Sequence, residues 1–198
     1  MEGEFLQDII RLERPSNTLE VGMAFGFSSY FICQALSEVN GKRHIVMDPW
    51  QNDSFHRGIG LNNLRLAELD SMIDFYDEPS FRVLPKLESQ GTVIDFAFVD
   101  GMVLFDFTLV DFFYINRLLK VGGIIALRVG WKAAKIKVCQ FILRNLPSYI
   151  PYRVLPPVPD LDLMDHNDIL GPSRKEIDIV AFRKESEDAR KWNFHKNF

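Results

Sequence analysis

Three acidic residues stand where apolar stretches end: Glu20 in "TLEVG", Asp48 in "HIVMDPW" and Asp100 in "IDFAFVDG". Each carboxylate offers two oxygens that accept hydrogen bonds, so the chemistry they suggest is recognition of a polar ligand. After Glu20 comes Gly22-Met23-Ala24-Phe25-Gly26, a turn whose glycines let backbone N–H groups approach a ligand at the start of a helix. A dinucleotide fingerprint asks for glycine at the first, third and sixth positions of such a turn. Here those positions hold Gly22, Ala24 and Phe27, and Glu20 adds negative charge beside the pyrophosphate site. Both features argue against a pyridine dinucleotide.

A ligand carrying an ammonium and a sulfonium reverses the role of Glu20, whose charge then attracts it directly or through water. S-adenosylmethionine is such a ligand. Asp48 can accept both hydroxyls of its ribose, Trp50 or Phe81 can flank its adenine, and Ser80 can hydrogen-bond the adenine edge. Arg128, followed by Lys132, Lys135 and Lys137, can recognise an acidic substrate, an arginine gripping a carboxylate in bidentate fashion. The competing reading makes the lysines a solvated helix face. His56 lies in a polar loop, either as part of a lid over the pocket or as an exposed loop residue.

The elements needed to position these residues follow from periodicity. Phe5, Leu6, Ile9, Ile10 and Leu12 recur at helical spacing, and a strand over Thr18–Val21 follows. A helix over roughly Ser28–Val39 ends at Asn40-Gly41, residues that accept left-handed backbone angles. "RHIVMD" is a second strand, Leu61, Leu64 and Leu69 mark a helix, and "IDFY" is a third strand. The apolar run "TVIDFAFV" suits a central parallel strand buried on both faces. A helix from Phe105 to Leu119, the strand "IIALR", and a helix carrying Ile136, Cys139, Leu143 and Leu146 come next. "YIPYRVL" and "EIDIVAFRK" are expected as antiparallel neighbours. Alternating strands and helices predict an α/β, doubly wound, mostly parallel seven-stranded sheet, with ligands at the carboxyl ends of the strands.

In "LEVGMAFGFSS", "HIVMDPWQ", "IDFAFVDG" and "LLKVGGIIAL", over roughly residues 15 to 130, the chain resembles class I S-adenosylmethionine-dependent methyltransferases, in particular their small-molecule O-methyltransferase-like branch. The resemblance implies a Rossmann-like sheet with a final antiparallel strand inserted beside strand five. It implies that Glu20, Gly22, Ala24 and Gly26 form the methionine-binding loop and that Asp48 binds the ribose, with Met23, Ser28, Pro49 and Trp50 as further cofactor contacts. Ser80 and Phe81 fall on the adenine side, and Asp100 ends strand four. Two departures stand out. Val103 and Phe105 occupy positions where many relatives carry a histidine and a tyrosine, and neither can act as a base. Metal-dependent members carry an Asp-Asn pair after strand five, where this chain has Arg128 and Val129, so no metal is expected.

Methyl transfer from a sulfonium asks mainly for alignment of the nucleophile, which keeps an enzyme as the leading reading: metal-independent transfer to a small, anionic or neutral, oxygen or nitrogen nucleophile. The alternative is a degenerate relative that keeps the pocket as a binding or regulatory subunit. The 198 residues suit one domain, expected over 1–183 with a charged and aromatic tail over 184–198, the latter a loose or surface-docked helix. A net charge of -4 favours neither nucleic acid nor an anionic membrane surface. An acidic start and the lack of a long apolar run point to a cytoplasmic chain with no membrane span. Cys33 and Cys139 read as buried thiols, and His44, His166 and His195 show no metal-ligand spacing. Asp162, Asp165 and Asp168 around His166 read as a solubilising loop, the segment 156–175 and the N-terminal helix as the acceptor pocket, and Trp192, Phe194 and Phe198 as a homodimer contact.

Overall fold

The computed structural model describes residues 1–130, 132–158 and 176–198. The acidic loop around His166 and most of the segment 156–175 therefore lie outside the described residues. Helix α1 (Glu2–Glu13) leads into β1 (Asn17–Val21), and the glycine turn then opens α2 (Phe27–Glu38). Strand β2 (Arg43–Met47) and α3 (Ile59–Leu66) follow, then a short 3-10 turn and β3 (Ile73–Tyr76). The chain continues through α4 (Ser80–Ser89), β4 (Ile94–Val99), α5 (Phe105–Leu118), β5 (Leu119–Arg128), α6 (Ala133–Asn145), β6 (Tyr149–Leu155) and β7 (Ile179–Lys184).

The seven strands form one sheet in the order β3-β2-β1-β4-β5-β7-β6. Strands β1 to β5 are mutually parallel, and β7 runs antiparallel to both β5 and β6. The last strand thus sits beside β5, as the resemblance implies. The strand order reverses between β1 and β4, which is where a doubly wound sheet opens a crevice at its carboxyl edge.

Two apolar layers hold the sheet. On one face Leu19, Ile45, Val83, Ala97, Ile115, Ile125, Val138 and Phe182 are buried together, joining α4, α5 and α6 to the strands. On the other, Leu6, Ile9, Ile10, Ile32, Leu36, Phe96, Phe98 and Ala126 pack α1 and α2 beneath β4 and β5. Strand β4 alternates between the two layers, explaining why its sequence is apolar almost without interruption. Cys33 and Cys139 are buried, and burial pushes both thiols well above their ordinary range.

The tail departs from expectation, since residues beyond Lys184 form no helix. It turns back on itself against the end of α6, where Arg190 Nη1 donates to the Asn145 carbonyl. The Asn145 side chain donates to the Lys196 carbonyl and accepts from the Lys196 N–H, and the Phe198 ring lies 5.2 Å from that of Phe141. Phe198 is thus used within the chain, while Trp192 is 96% exposed.

Candidate functional site

A cleft of about 810 Å³ opens at the carboxyl ends of β1, β2, β4 and β5. Of the residues singled out in the sequence, it is lined by Gly22, Met23, Ala24, Ser28, Asp48, Pro49, Trp50, Ser80, Phe81 and Asp100. Glu20 and Gly26 are not among the lining residues. Glu2, Phe27, Met102, Val103, Phe107 and Arg128 line it as well, and His56 and Phe25 stand at its rim side by side, ring centroids 5.3 Å apart.

The glycines are required by geometry. Gly22 has φ 90°, and a Cβ there would meet the Asp100 carbonyl at 2.8 Å, so β1 and β4 approach as closely as backbone allows. Gly26 has φ 78°, and a Cβ would sit 2.8 Å from the Gly60 carbonyl. Ala24, at φ 47°, holds a left-handed conformation that costs a non-glycine residue energy. What keeps it there is Asp48.

The Asp48 side chain accepts hydrogen bonds from the backbone N–H groups of Met23 at 2.9 Å and Ala24 at 2.8 Å through Oδ2, and from Trp50 at 2.8 Å through Oδ1. Gln51 completes the clamp by donating to the Ala24 carbonyl at 2.6 Å. A carboxylate has about four acceptor sites, so these three backbone donors, with Gln51 Nε2 at 3.5 Å from Oδ2, share Asp48 with the pair of ribose hydroxyls expected from the sequence. Asp48 is 4% exposed and first of all organises the loop.

Glu20 requires a larger correction. Its side chain is fully buried beneath the loop, where it accepts from the hydroxyls of Ser28 and Ser29 and faces His44 Nε2 at 3.0 Å. His44 Nδ1 in turn lies 2.9 Å from the Thr18 hydroxyl. The acid therefore fixes the first turn of α2 and the β1–β2 pair and does not line the cleft. Ser28 touches the cleft, but its hydroxyl is committed to Glu20.

On the adenine side expected from the sequence, Trp50 and Phe81 are 56% and 45% exposed, available for stacking. The Ser80 hydroxyl hydrogen-bonds Asp111, a buried carboxyl on α5 that burial pushes up to about 6, with Ser80 and Lys135 opposing the shift. Asp111 Oδ1 has no hydrogen-bond partner among the described residues.

At the opposite end, Arg128 binds three carboxylates: Asp100 through Nη1 at 3.0 Å, Glu2 through Nη2 at 3.2 Å and Asp178 through Nε at 3.5 Å. Asp100 also receives Lys135 Nζ at 3.2 Å and has Lys132 at 4.0 Å. Lys135 is fully buried, which lowers its pKa against the pull of Asp100. Lys135 is thus part of the interior, not of a solvated face as one reading had it, and each nitrogen of the Arg128 guanidinium faces a carboxylate. Glu2 carries no signal of its own in the sequence, because it reaches the site only through its contact with Arg128 on a distant strand. Among the described residues no group of three or more His, Cys, Asp or Glu side chains is placed to hold a metal ion.

A crevice at the switch point of a mostly parallel sheet, with a glycine loop tied to an acid at the end of β2, defines a nucleoside-binding α/β protein. The chain belongs to the methyltransferase domain family, whose model matches residues 19–127. It is 31% identical to caffeoyl-CoA O-methyltransferase 2 of Eucalyptus globulus over 156 residues, 75% of this chain and 59% of that protein. Against tapetum-specific methyltransferase 1 of Arabidopsis thaliana it is 31% identical over 128 residues, 63% of this chain and 51% of that protein. The chain spans about half the length of the relatives it matches. Two solved structures share the fold at a TM-score of 0.67 each. One is an O-methyltransferase from Bacillus cereus in complex with S-adenosylhomocysteine, at 19% identity, covering 92% of this chain and 80% of that one. The other is an O-methyltransferase from Streptomyces achromogenes involved in tomaymycin synthesis, in complex with S-adenosylmethionine, at 20% identity, covering 93% of this chain and 80% of that one.

Proposed function

We propose that this chain binds S-adenosylmethionine and transfers its methyl group to an oxygen of a small molecule. The observation that carries this reading is the cleft itself: a loop pinned by Asp48, exposed aromatic rings at one end, and an ionic cluster at the other. Its volume falls in the range of small-molecule sites, and the donor set suits a nucleoside joined to an amino acid. Asp48 Oδ1 keeps an acceptor site for a ribose hydroxyl, and Trp50 and Phe81 offer ring faces to a base. The methionine end would lie along Gly22, Ala24 and Asp100. The cofactor supplies an activated methyl on sulfur, and the work left to the chain is to bind, to orient and to keep water out.

The acceptor is proposed to be neutral with an apolar body. Arg128 is surrounded by Glu2, Asp100 and Asp178, so at that end of the cleft an incoming anion meets carboxylates, while Phe27, Met102 and Val103 are 60%, 46% and 41% exposed on the cleft wall. No metal is proposed to take part: cationic Arg128 and Lys135 already neutralise Asp100 from both of its oxygens. Isothermal titration with S-adenosylhomocysteine tests the central reading. Saturable binding that resists a chelator is expected, and a protein preferring a pyridine dinucleotide would refute it.

A further inference from the structure

A hydroxyl acceptor must lose a proton, and the family positions that would hold a base carry Val103 and Phe105. The geometry points to Glu2, on α1, as the group that takes it. This assignment rests on the methyltransferase reading of the cleft and adds the residue that completes it.

Glu2 lies outside the segment matched by the family model and reaches the cleft because α1 packs on α2 and beneath β4 and β5. Only 17% of its side chain is exposed. Arg128 Nη2 holds Oε2 at 3.2 Å, and among the described residues no hydrogen bond is made to Oε1. A carboxylate fixed at one oxygen and open at the other, facing a cleft, has the geometry of a general base.

Charged groups from each neighbouring element act on it. Burial pushes the Glu2 carboxyl above its ordinary range; Arg128 on β5 opposes this, and Asp100 after β4, Asp178 before β7 and Glu20 on β1 add to it. Lys132 and Lys135 on α6 face Asp100 and moderate its influence. The result is a stronger base than an exposed carboxylate.

Other carboxylates in reach are committed: Asp100 to Arg128 and Lys135, Asp48 to the loop. His56 is the rival. Its Nδ1 lies 3.1 Å from Asp53 Oδ1, but it belongs to the loop after β2, on the ribose side of the cleft. Glu2 shares the other end with Arg128, Asp100 and the apolar wall. In the step assigned, the acceptor O–H proton passes to Glu2 Oε1 as the oxygen lone pair forms the O–CH3 bond. The S–CH3 bond breaks with its electron pair left on sulfur, giving S-adenosylhomocysteine and protonated Glu2.

The test is methyl transfer from radiolabelled S-adenosylmethionine to a series of simple phenols of graded acidity, with wild type, Glu2→Gln, Glu2→Asp and His56→Gln, each first titrated with S-adenosylhomocysteine. Glu2→Gln is expected to bind the product normally, to lose about 10²–10⁴-fold in kcat on the least acidic phenols, and to recover progressively on phenols that ionise unaided. Its acid limb in the pH profile disappears, and Glu2→Asp restores part of the rate. A uniform loss across the series, loss of the acid limb in His56→Gln instead, or a wild type that binds S-adenosylhomocysteine yet methylates none of the phenols would overturn the assignment. Absence of S-adenosylhomocysteine binding in wild type strikes instead at the methyltransferase reading.

Discussion

The two ends of the cleft use acidic residues in opposite ways. At the β1–β2 end, Glu20 and Asp48 are buried at 0% and 4% exposure and spend their oxygens on serine hydroxyls and backbone amides. At the β4–β5 end, Glu2, Asp100 and Asp178 share one guanidinium, and that guanidinium is 36% exposed. A carboxylate inside a satisfied network cannot be changed without disturbing the backbone around it, whereas a half-exposed ion cluster can be rearranged at modest cost. The first end is therefore suited to holding a constant ligand, and the second to accommodating differences in an acceptor.

That contrast can be broken by substitution. The largest effect is expected from Glu20→Ala, which strands the buried His44 and two serine hydroxyls and should destabilise the fold by about 3–5 kcal/mol. Chemical denaturation measures it, and a loss under 1 kcal/mol would show that the network is not structural. Asp111→Asn comes next. The folded Asp111 holds its proton up to about 6, against an ordinary 3.8, so the native state binds more protons than the unfolded chain in that window. Wild-type stability should consequently fall as pH rises from about 4 to 6, by up to ~3 kcal/mol, and the asparagine variant should lack that component. Denaturation curves of both proteins across the window decide this.

Asp48→Ala removes the acceptor for three backbone N–H groups and should weaken S-adenosylhomocysteine by about 100-fold, ~2.7 kcal/mol, in isothermal titration. At the other end, Arg128→Met should weaken that affinity less than Asp48→Ala does while altering acceptor selection, since of its three partners only Asp100 is an expected cofactor contact. Smallest of all is Phe27→Ala, an exposed ring whose loss should move stability by no more than about 0.5 kcal/mol. Its effect would appear in the KM for apolar acceptors.

Much of the scaffold could be read from the chain because each strand is an apolar run ending in a polar residue or glycine. For that reason Asp48 and Asp100 could be located directly after β2 and β4, and the insertion of β7 followed from the resemblance. The purpose of Glu20 could not be read. Its partners Ser28 and Ser29 come from the next helix and His44 from the neighbouring strand, and nothing in local spacing says that a side chain points down into the sheet rather than up into the cleft. Lys135 was misleading for the same reason, a cation in a lysine-rich stretch that turns inward because Asp100 lies 3.2 Å away. Glu2 is separated from Arg128 by most of the sequence, so only the folded sheet brings them together.

The position of β7 has a consequence for the order in which the protein can assemble. This strand is the last of the sheet to leave the ribosome, yet it sits between β5 and β6, so neither the free margin of β5 nor the whole of β6 finds its pairing until residues 179–184 emerge. Asp178 arrives with it, its carbonyl accepting from the N–H groups of Val129 and Gly130 and its side chain reaching Arg128. The β1–β2 half of the crevice can thus be shaped early in synthesis, while the β4–β5 half is finished only once residues 178–184 have emerged.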